Sequence, residues 1–597
     1  MDLPIPRSKY RDGMPEKPKY KDFDSVVEVI GGFGKFQKLT IFLIILPALL
    51  PVGFFHFNVV FMSATPDTYG CTLPTYSNLT MEDLRPLLPK ERRGGKNSPL
   101  VPSRCAMYDL NYTDLDLDSI RLRVNESGSY PIDTVSCDRT VGYTYSTAVY
   151  ESTTVTDWDL VCGNWDVINS LQFSASTIGG LWGAFLFAFI ADRCGRKPSF
   201  YSMLGVQVIF GAAAAFVPSS PSGIVLYLLS RVCVGMCTSF IYTMGLMLAV
   251  EITGVKTRAL MSVLCSIGYS ASVFVLLGIA YFVRSWRGLA LASSLPLVAL
   301  FALWKWFPES PRWYLAQKRY DDLEQYVRKV ARVNGVKLDP DFDVNLPDIL
   351  RGIDTTEYKE KGTLLDLFRT PNLRKKTLLL AFINFCNNGI FTGLNLYAPA
   401  FGADPHWNAF LANVVELPPY IFAQWACDRC GRRLSLFYPM LLCAAFCLAT
   451  AGVAETAATA ILVLSLAAKF CITFTFLVGE LYEEEIFPTV VRGQGHSFTS
   501  VVSQLAGIGV PFVVHLGNNY VTMPLFIFGV LCAVGAVSAL FLPETVYKEL
   551  PQTLQDGETF GEHMPWKAIF TLLPGAKPKH GKRAVAVIDD LSAVHKL

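Results

Sequence analysis

Twelve long apolar runs constrain the fold of this chain more than any other feature of its sequence. A helix needs about 20 apolar residues to cross a bilayer, because the hydrocarbon core is about 30 Å thick and each residue rises about 1.5 Å. Backbone polar groups find no water there, so such segments cross as helices. The runs, called span 1 to span 12 in chain order, are 39–63, 168–191, 198–218, 223–249, 259–283, 287–307, 377–401, 408–427, 434–453, 458–484, 494–515 and 521–543. The sequence therefore predicts an all-α membrane protein with twelve transmembrane helices.

The composition agrees with a membrane protein and argues against two other classes. Of the 597 residues, 51% are hydrophobic and 17% are charged, whereas a soluble domain carries about 25% charged residues. The net charge of +2 gives no reason to expect a nucleic-acid partner. No nucleophile with a nearby base emerges, so an enzyme is not expected. The expected partners are the lipid bilayer and a small organic ion, no cofactor or metal is predicted, and the oligomeric state stays open.

The positive charges of the short loops predict the orientation of the spans, because lysine and arginine accumulate in cytosolic loops. The loops after spans 2, 4, 8 and 10 carry such charges, including Arg193, Lys197 and Arg492, whereas those after spans 3, 7, 9 and 11 are nearly free of them. Arg284 and Arg287 after span 5 are the exception. Both termini of this multi-pass protein are therefore predicted to be cytosolic, with the plasma membrane as the expected location.

The long segment 64–167 is then extracellular, and two further features agree. It contains the three glycosylation sequons found in the chain, which begin at Asn78, Asn111 and Asn125. It also contains the four cysteines Cys71, Cys105, Cys137 and Cys162. An even number of cysteines in an oxidising compartment predicts two disulfides, and three pairings are possible.

Three charged motifs occur twice, which indicates an internal duplication. The copies are DRCGRK at 192–197 with DRCGRR at 428–433, Glu-x6-Arg at 251–258 with the same pattern at 485–492, and Pro-Glu-Ser at 308–310 with Pro-Glu-Thr at 543–545. The offsets are 236, 234 and 235 residues. A nearly constant offset for unrelated motifs predicts two parallel halves of six spans each.

The duplication divides the chain into five predicted segments. They are a cytosolic N-terminus with an interfacial segment at 1–38, a first half at 39–313 that includes the glycosylated loop, a cytosolic linker at 314–376, a second half at 377–545 and a cytosolic tail at 546–597. The linker is polar, and part of it, around 321–333, is expected to be helical.

The second hexapeptide overlaps a C-x-x-C pattern, Cys427 to Cys430, which raises metal or redox chemistry as a hypothesis. The first copy has Ala191 where the second has Cys427. No further C-x-x-C or Cys/His pair lies nearby to complete a zinc site. The thiols are therefore not expected to bind a metal.

The charged residues of the repeated loops are candidates for a cytosolic gate. Gly195 and Gly431 are expected at positive φ in tight turns, and the acids and bases around them can pair between loops. The hypothesis is that these pairs latch the cytosolic ends of the two halves. In the alternative, the positive charges only set the topology. The candidates are Asp192, Arg193, Arg196, Glu251, Arg258, Glu309, Arg312, Asp428, Arg429, Arg432, Glu485, Arg492 and Glu544.

Several motifs outside the spans carry a family resemblance. They are FDSVVEVIGGFGKFQ before span 1, TDWDLVC at the end of the long loop, FPESPRWYL after span 6, LFRTPNLRKK before span 7, EIFPTVVR after span 10 and LPETVYKELPQT after span 12. With them, the chain resembles the organic cation, anion and zwitterion transporters of the major facilitator superfamily from about residue 23 to 555. The resemblance implies transport of small organic ions by alternating access between two six-helix halves. Ala188 and Gln424 stand where the family usually has glycine, so the packing at the two turns is expected to differ.

Polar residues inside the spans are candidates for substrate binding, because such residues are unfavourable in lipid and usually face a cavity or a partner. Span 7 carries Asn384, Asn387, Asn388 and Asn395, whose spacing places them on one face. They line a cavity or join neighbouring helices through amide hydrogen bonds, and both interpretations stay open.

Span 10 carries Lys469 and Glu480, which lie too far apart along the helix to pair with each other. Lys469 therefore needs another internal partner or water. The family resemblance adds Glu416, in a segment where the family often has an acid linked to cation recognition. It also adds Gln504, which is neutral where cation carriers tend to have Asp and many anion carriers have Arg. The remaining candidates are Asn58 in span 1 and Tyr397 in span 7.

A cavity with both signs of charge and several amides suits a zwitterion or a polar cation, such as a carnitine-like or amino-acid-derived amine. The alternatives are an organic anion exchanger, a passive channel, and a receptor or scaffold of the same fold that does not transport. An ATP-driven pump is disfavoured, because the stretch 31–36 lacks the first glycine and the Ser or Thr of a phosphate loop.

Overall fold

The structure of the protein, a computed structural model, describes residues 23–561 with short gaps. The gaps are 67, 74–75, 77–78, 93–99, 111, 113–116, 127–132, 138–141, 164–165, 354–361, 398–403, 454–456, 519–521, 547 and 549. Two of the predicted glycosylation sites, Asn78 and Asn111, lie outside the described residues, as does the predicted tail after residue 561.

Within the described residues, eleven helices are long and apolar enough to cross a membrane. Spans 1 to 6 are Lys35–Met62, Val167–Cys194, Arg196–Phe216, Pro221–Glu251, Leu260–Phe282 and Trp286–Lys305, and spans 7 and 9 to 12 are Pro371–Tyr397, Arg432–Ala451, Ala458–Ile486, Arg492–His515 and Met523–Leu540. Span 1 contains a π-helical turn at Ile41–Ile45, and span 6 narrows to a 3₁₀-helix over Leu295–Lys305. The predicted helical, multi-pass architecture is confirmed.

Span 8 differs from the prediction, because it consists of two short helices. The first is Pro405–Val414, and the second, Leu417–Cys430, begins directly after Glu416. Pro418 and Pro419 follow in the first turn of the second helix. A proline lacks an N–H donor and clashes with the carbonyl four residues earlier, so it is accommodated at the start of a helix and not in its interior. The prediction of a continuous span 8 is therefore wrong, and the break places Glu416 halfway along the span.

The spans enclose two separate apolar cores. One cluster of buried side chains draws on spans 1 to 6 and includes Phe55, Tyr227 and Trp286. The other draws on spans 7 to 12 and includes Met440 and Phe528. Because each half of the duplicated sequence has its own core, the surface between the halves can hold polar side chains without weakening either core.

The segment 64–167 forms a small folded unit at one end of the bundle, here called the loop end. Its antiparallel strand pairs are Tyr69–Cys71 with Tyr143–Tyr145, Lys90–Arg92 with Leu100–Pro102, and Ala106–Tyr108 with Thr134–Ser136. Its helices are Met81–Leu84, Leu117–Glu126 and Thr154–Trp158, and the second of these contains Asn125. The structure joins Cys71 to Cys137 and Cys105 to Cys162, which is one of the three pairings that the sequence left open.

The opposite end, here called the charged end, carries the linker. Its helices Tyr320–Asn334 and Pro340–Gly352 pack on the short helix Phe23–Val29 that precedes span 1. The helix expected around 321–333 is thus confirmed. The other short helices at this end are Pro311–Ala316, Asp366–Arg369 and Leu554–Thr559.

Two sets of hydrogen bonds hold the N-terminal segment at the charged end. Asn334 Nδ2 donates to the Ile30 carbonyl over 2.8 Å, and Asn334 Oδ1 accepts from the Phe36 N–H over 2.8 Å. The carboxylate of Asp24 contacts one guanidinium nitrogen each of Arg258 and Arg312, both at 2.5 Å. The residues before span 1, the linker and the first half are therefore tied together.

The two DRCGR turns have the same construction in both halves. The φ angles are +101° at Gly195 and +87° at Gly431, which confirms the prediction of positive φ. The carboxylate of Glu309 accepts from the N–H groups of Arg196 and Lys197, at 2.7 and 3.2 Å. An acid thus satisfies the free N–H groups where span 3 begins, and its charge is favourable at a helix N-terminus.

The second turn repeats this arrangement around Gly431. The carboxylate of Glu544 accepts from the N–H groups of Arg432 and Arg433, at 2.9 and 3.2 Å, where span 9 begins. A Cβ atom added at Gly195 would lie 2.4 Å from a carboxylate oxygen of Glu309, and one at Gly431 would lie 2.6 Å from that of Glu544. Glycine is therefore required twice over, by its φ angle and by the approach of the acid.

Replacing Gly195 or Gly431 with alanine is expected to lower the free energy of unfolding by about 1–3 kcal/mol, because the left-handed backbone and the nearby carboxylate both oppose a Cβ atom. The melting temperature of the purified protein in detergent measures the effect. Gly278→Ala in span 5 is the matched control, since the space around its Cβ position is open. A melting temperature of Gly431→Ala equal to that of the unmodified protein would contradict the proposed capping.

Candidate functional site

A buried ion pair lies at the centre of the second half. Lys469 is in the middle of span 10, and Glu416 is at the break in span 8. Lys469 Nζ lies 2.7 Å from Glu416 Oε1, and each side chain is only 1% exposed. A buried charge without a partner is strongly destabilising, so each of these two residues requires the other.

The neighbours of the pair add polar and aromatic contacts. Asn395 Oδ1 of span 7 accepts from Lys469 Nζ, and the Phe391 ring centroid lies 4.5 Å from the same nitrogen. Tyr420 Oη donates to Glu416 Oε2 over 3.2 Å. The Nδ2 atom of Asn395 is buried and has no hydrogen-bond partner among the residues that the structure describes. The site therefore offers a cation, an anion, an amide donor and an aromatic face within a few ångströms.

A small cavity between the two halves adjoins Asn395, the residue that accepts a hydrogen bond from Lys469. Asn395 and Asn413 line it from the second half, and Phe57, Phe61 and Val273 line it from spans 1 and 5 of the first half. The ion pair thus lies near the surface where the two halves meet, which is where an alternating-access transporter binds its substrate.

Two of the predicted asparagines join helices. Asn387 is fully buried, its Nδ2 donates to the Thr475 carbonyl, and its Oδ1 accepts from the Thr475 hydroxyl at 3.0 Å. Asn388 Nδ2 donates to the Ser503 carbonyl of span 11 over 2.9 Å. Of the two interpretations that the sequence left open, these contacts favour helix joining at both positions.

Asn384 and Glu480 lie toward the charged end, away from the ion pair. Asn384 Nδ2 donates to Glu483 Oε1, and Glu480 lies close enough to Glu483 and His496 for their charges to interact. These two predicted substrate residues therefore belong to a separate cluster near the end of span 10.

The other three predicted substrate residues are dispersed. Gln504 Nε2 lies 3.5 Å from Ser239 Oγ of span 4, across the two halves. Asn58 accepts from Arg231 Nη1 over 3.1 Å, inside the first half. Tyr397 is buried beside Gly517 near the loop end. Of the ten predicted residues, the structure brings Asn395, Glu416 and Lys469 together. Of the three described in this paragraph, Gln504 is the one that contacts the other half.

The charged residues of the repeated loops pair within each half. Arg196 Nη atoms lie 3.4 Å from Asp192 and 3.7 Å from Glu251. In the second half, the nitrogens of Arg432 lie 3.5 Å from Asp428 and 2.9 Å from Glu485. The remaining candidates lie as follows: Arg258 and Arg312 on Asp24, Arg193 over the Phe189 ring, Arg492 at 4.0 Å from Glu484, Arg429 exposed, and Glu309 and Glu544 in the two turns.

These pairs bind the charged end of each half to itself. The hypothesis of a latch between the halves stays a prediction, and it concerns a conformation in which the two charged ends approach each other. In the present structure, hydrogen bonds between the halves lie at the centre and toward the loop end. They include those from Ser170 Oγ to the Pro511 carbonyl, from Ser174 Oγ to the Ile508 carbonyl and from Asn413 Nδ2 to the Ser270 carbonyl, besides the contact of Gln504 with Ser239.

An aromatic cluster strengthens the contact at the loop end. The His406 ring of the second half stacks on Phe61 of span 1 at 5.4 Å and meets Tyr281 of span 5 at 6.0 Å. Tyr150 of the long loop lies 5.7 Å from the same ring. The two halves are therefore closed against each other at the loop end.

Sequence reasoning did not assign Phe391, Tyr420, Glu483 or His496 to a site. Tyr420 follows Glu416 by four residues, a spacing that places two side chains on one helix face, so this contact had a usable signal. Phe391 follows Asn387 by the same spacing. The pairing of Glu483 with His496 joins two spans and has no such signal in the sequence.

Comparison with known proteins identifies the group to which the chain belongs. Residues 134–555 match the family model described as sugar (and other) transporter. The chain is 36% identical to the beta-alanine transporter of Drosophila melanogaster over 90% of this chain and 89% of that protein. It is 34% identical to the carcinine transporter of the same organism, over 93% and 82%. It is 32% identical to the human organic cation/carnitine transporter 2, over 89% and 93%.

Solved structures show the same fold at lower sequence similarity. The proton:xylose symporter XylE bound to 6-bromo-6-deoxy-D-glucose aligns with a TM-score of 0.53 and 17% identity, over 68% of this chain and 91% of that one. The partially occluded inward open conformation of XylE from E. coli aligns with a TM-score of 0.54 and 17% identity, over 66% and 94%. The fold is that of the major facilitator superfamily. The matching family and the relatives named above are transporters and not enzymes. The chain belongs to the sugar (and other) transporter family and, within it, to the organic cation, anion and zwitterion transporters of the major facilitator superfamily.

Proposed function

We propose that the protein is a secondary transporter of small organic zwitterions and amines, and that Glu416 and Lys469 bind the two ends of a zwitterion. The observation that carries the proposal is the isolated ion pair, 2.7 Å between the charged atoms, in a site that is 1% exposed at both side chains. The pair neutralises itself when the site is empty, and its two charges match the two charges of a zwitterion.

Charge balance favours a zwitterion over a simple ion at this site. A zwitterion gives its ammonium group to Glu416 and its carboxylate to Lys469, so that the buried site stays neutral before and after binding. A lone anion or a lone cation would leave one protein charge without a partner, which is unfavourable in a site of low dielectric. The Phe391 ring and the buried amide of Asn395 offer further contacts to the ammonium group and the carboxylate.

The relatives support this class of substrate by their names. They are transporters of beta-alanine and carnitine, which are zwitterions, and of carcinine, an amine. Beta-alanine and carnitine each separate a positive and a negative group by a few bonds, a distance that suits two side chains in contact. The substrate of this protein is proposed from the same set.

Each half has its own apolar core and can move as a unit, and the break in span 8 lies in the second half. On this basis the two halves are proposed to alternate access to the substrate site. Residues 39–313 and 377–545 act as the moving halves, with 314–376 as linker.

The charged end, with both terminal segments 1–38 and 546–597, faces the cytosol. The loop end then faces outside at the plasma membrane, and Asn78, Asn111 and Asn125 carry glycans there. Because the two halves contact each other at the loop end, we infer that this conformation is open at the charged end.

Comparison of single and double removal of the ion pair separates an effect on folding from an effect on transport. Glu416→Gln or Lys469→Met alone leaves a buried charge and is expected to lower the free energy of unfolding by about 3–5 kcal/mol. The double variant removes both charges, so its melting temperature is expected to recover most of this loss. Uptake of radiolabelled beta-alanine and carnitine in expressing cells is expected to be abolished in all three variants.

The control for this experiment is the neutralisation of an exposed ion pair far from the site. Arg121 and Asp118 lie 3.6 Å apart in the long loop and are well exposed, so Asp118→Asn with Arg121→Gln is expected to change stability by about 1 kcal/mol or less and to leave uptake intact. Normal uptake of both probes by a well-folded double variant at 416 and 469 would refute the binding role.

The orientation is tested by glycosylation. The protein from mammalian cells is expected to shift to lower apparent mass on treatment with an amidase that removes N-linked glycans, and the triple variant Asn78→Gln, Asn111→Gln, Asn125→Gln is expected to show no shift. The sequons all lie in one loop, so a glycosylated protein has that loop in the secretory lumen. A normal protein without any shift would contradict the proposed orientation.

A further inference from the structure

A second buried acid lies near the charged end of span 10, apart from the Lys469 site. The Glu483 side chain is 1% exposed, and its Oε2 lies 3.0 Å from Nδ1 of His496 in span 11. Its Oε1 accepts from Nδ2 of Asn384 in span 7. Three spans of the second half therefore converge on one carboxylate, and the contact that can carry a compensating charge is the imidazole.

The charged groups around this pair are mostly acidic. On span 10 itself, Glu480 lies one turn before Glu483 and Glu484 directly follows it. On span 11, Arg492 lies one turn before the histidine and contacts Glu484 at 4.0 Å. From span 4 of the first half, the neutral Tyr242 lies near Glu480, and its hydroxyl is 3.3 Å from Ser266 Oγ. Span 7 contributes the neutral Asn384. Among the described residues, the cationic group in contact with Glu483 is therefore the imidazole of His496 when it carries a proton.

The pair is positioned to take up a proton from the charged end. The His496 side chain is 43% exposed, whereas its partner is closed off. Glu483 lies three residues before the end of span 10, which is about 5 Å along the helix axis. The imidazole is therefore partly accessible in this conformation, close to the charged end, while the loop end is closed.

The cluster of Glu480, Glu483 and His496 faces span 4 of the first half. Tyr242 of span 4 lies near Glu480, and Ser239 Oγ, three residues earlier in span 4, is 3.5 Å from Gln504 Nε2 of span 11. Ser239 and Thr243 of that span are exposed in this structure although they lie far from either helix end. When the charged ends approach each other, span 4 moves onto the cluster and removes the remaining water around it.

We propose that His496 and Glu483 form a proton-binding site, distinct from the substrate site, and that the charged end closes against span 4 only when this site holds its proton. With the proton, the imidazolium and the carboxylate form a neutral pair. Without it, closure would bury the charge of Glu483 beside Glu480 with no compensating cation, which opposes closure. The ligand is a proton, and the state that it controls is the closed charged end.

The sign of the pH dependence follows from this requirement. An imidazole changes its charge near neutral pH, and the proton-bearing pair is the form that closes. Closure is therefore favoured at low pH and is lost as the pH rises. Because only one proton is required, the closing rate falls by up to about tenfold per pH unit once the proton is lost.

The first experiment measures carnitine exchange in proteoliposomes with the same pH on both sides, from pH 6 to pH 10. The charges of carnitine do not change in this range, so a pH effect belongs to the protein. Exchange by the unmodified protein is expected to fall at least about fivefold across the range, in line with a single-proton requirement. This arm rests on the proposed function, because it needs a transported substrate.

Two variants separate a proton site from a structural contact. His496→Asn keeps an N–H group where Nδ1 stands but does not titrate, so exchange is expected to be slow at every pH. His496→Asn with Glu483→Gln removes the acid as well, so exchange is expected to be fast at every pH. His515→Asn, at the loop end of the same span, is the matched control and is expected to keep the pH profile of the unmodified protein.

A second readout does not depend on any substrate. Ser239→Cys, with Cys194 and Cys430 replaced by serine, is alkylated by a membrane-impermeant maleimide only while the charged end is open. Its rate, divided at each pH by that of Cys194 in a separate single-site variant, is expected to rise severalfold from pH 6 to pH 10. The ratio is expected to stay flat in the background of His496→Asn with Glu483→Gln.

The outcomes distinguish this proposal from the proposed function. Absence of carnitine exchange together with a pH-dependent alkylation ratio contradicts carnitine as the substrate and supports the proton site. Exchange that is independent of pH, or an alkylation ratio that is flat in the unmodified background, overturns the proton site and leaves the substrate proposal standing. A pH profile of His496→Asn identical to that of the unmodified protein overturns it as well.

Discussion

A lysine in the middle of a membrane-spanning helix needs an acid within contact distance, and this constraint organises the centre of the protein. A charge at mid-membrane costs about 2.5–3.5 kcal/mol in a helix that is inserted alone. Lys469 meets the requirement through Glu416, which the break in span 8 places at the same depth. The two adjacent prolines therefore interrupt the helix next to the residue whose carboxylate pairs with Lys469.

The duplicated sequence motifs serve a different purpose. In each half, a glycine at positive φ lets an acid from the end of the sixth helix of that half reach the start of the third. An arginine of the same turn then pairs with an acid at the end of the fourth helix, which is Glu251 in one half and Glu485 in the other. In each half, the ends of three helices are thus held together. Each half therefore has the rigidity that movement against the other half requires. The cysteines of the hexapeptides take no part in these contacts.

The sequence predicted the architecture well, because apolar length and repeated charge patterns are local properties of a chain. Spans, duplication, positive-φ glycines and the helix in the linker follow from such patterns. The spacing of the span 7 asparagines also predicted a common face, and Asn384, Asn387 and Asn395 all meet span 10. The break in span 8 had a signal in Pro418-Pro419, but counting apolar residues across it concealed the break.

Pairings between residues far apart in the chain could not be predicted from the sequence. Glu416 and Lys469 were each candidates, yet the depth at which each side chain ends depends on how two helices pack. The same holds for the disulfide pairing and for Glu483 with His496, where each partner alone resembles an ordinary polar residue near a helix end. The sequence therefore provided the residue types of the site, and the fold provided their contacts.

The central claim is that the site holds a positive and a negative group of one substrate at the same time. Carnitine and its methyl ester differ by a single negative charge, so their competition for uptake tests this claim directly. The account predicts that carnitine is taken up at least about tenfold more efficiently than the ester, a difference of about 1.4 kcal/mol. Uptake of the ester at an equal or greater rate would contradict it.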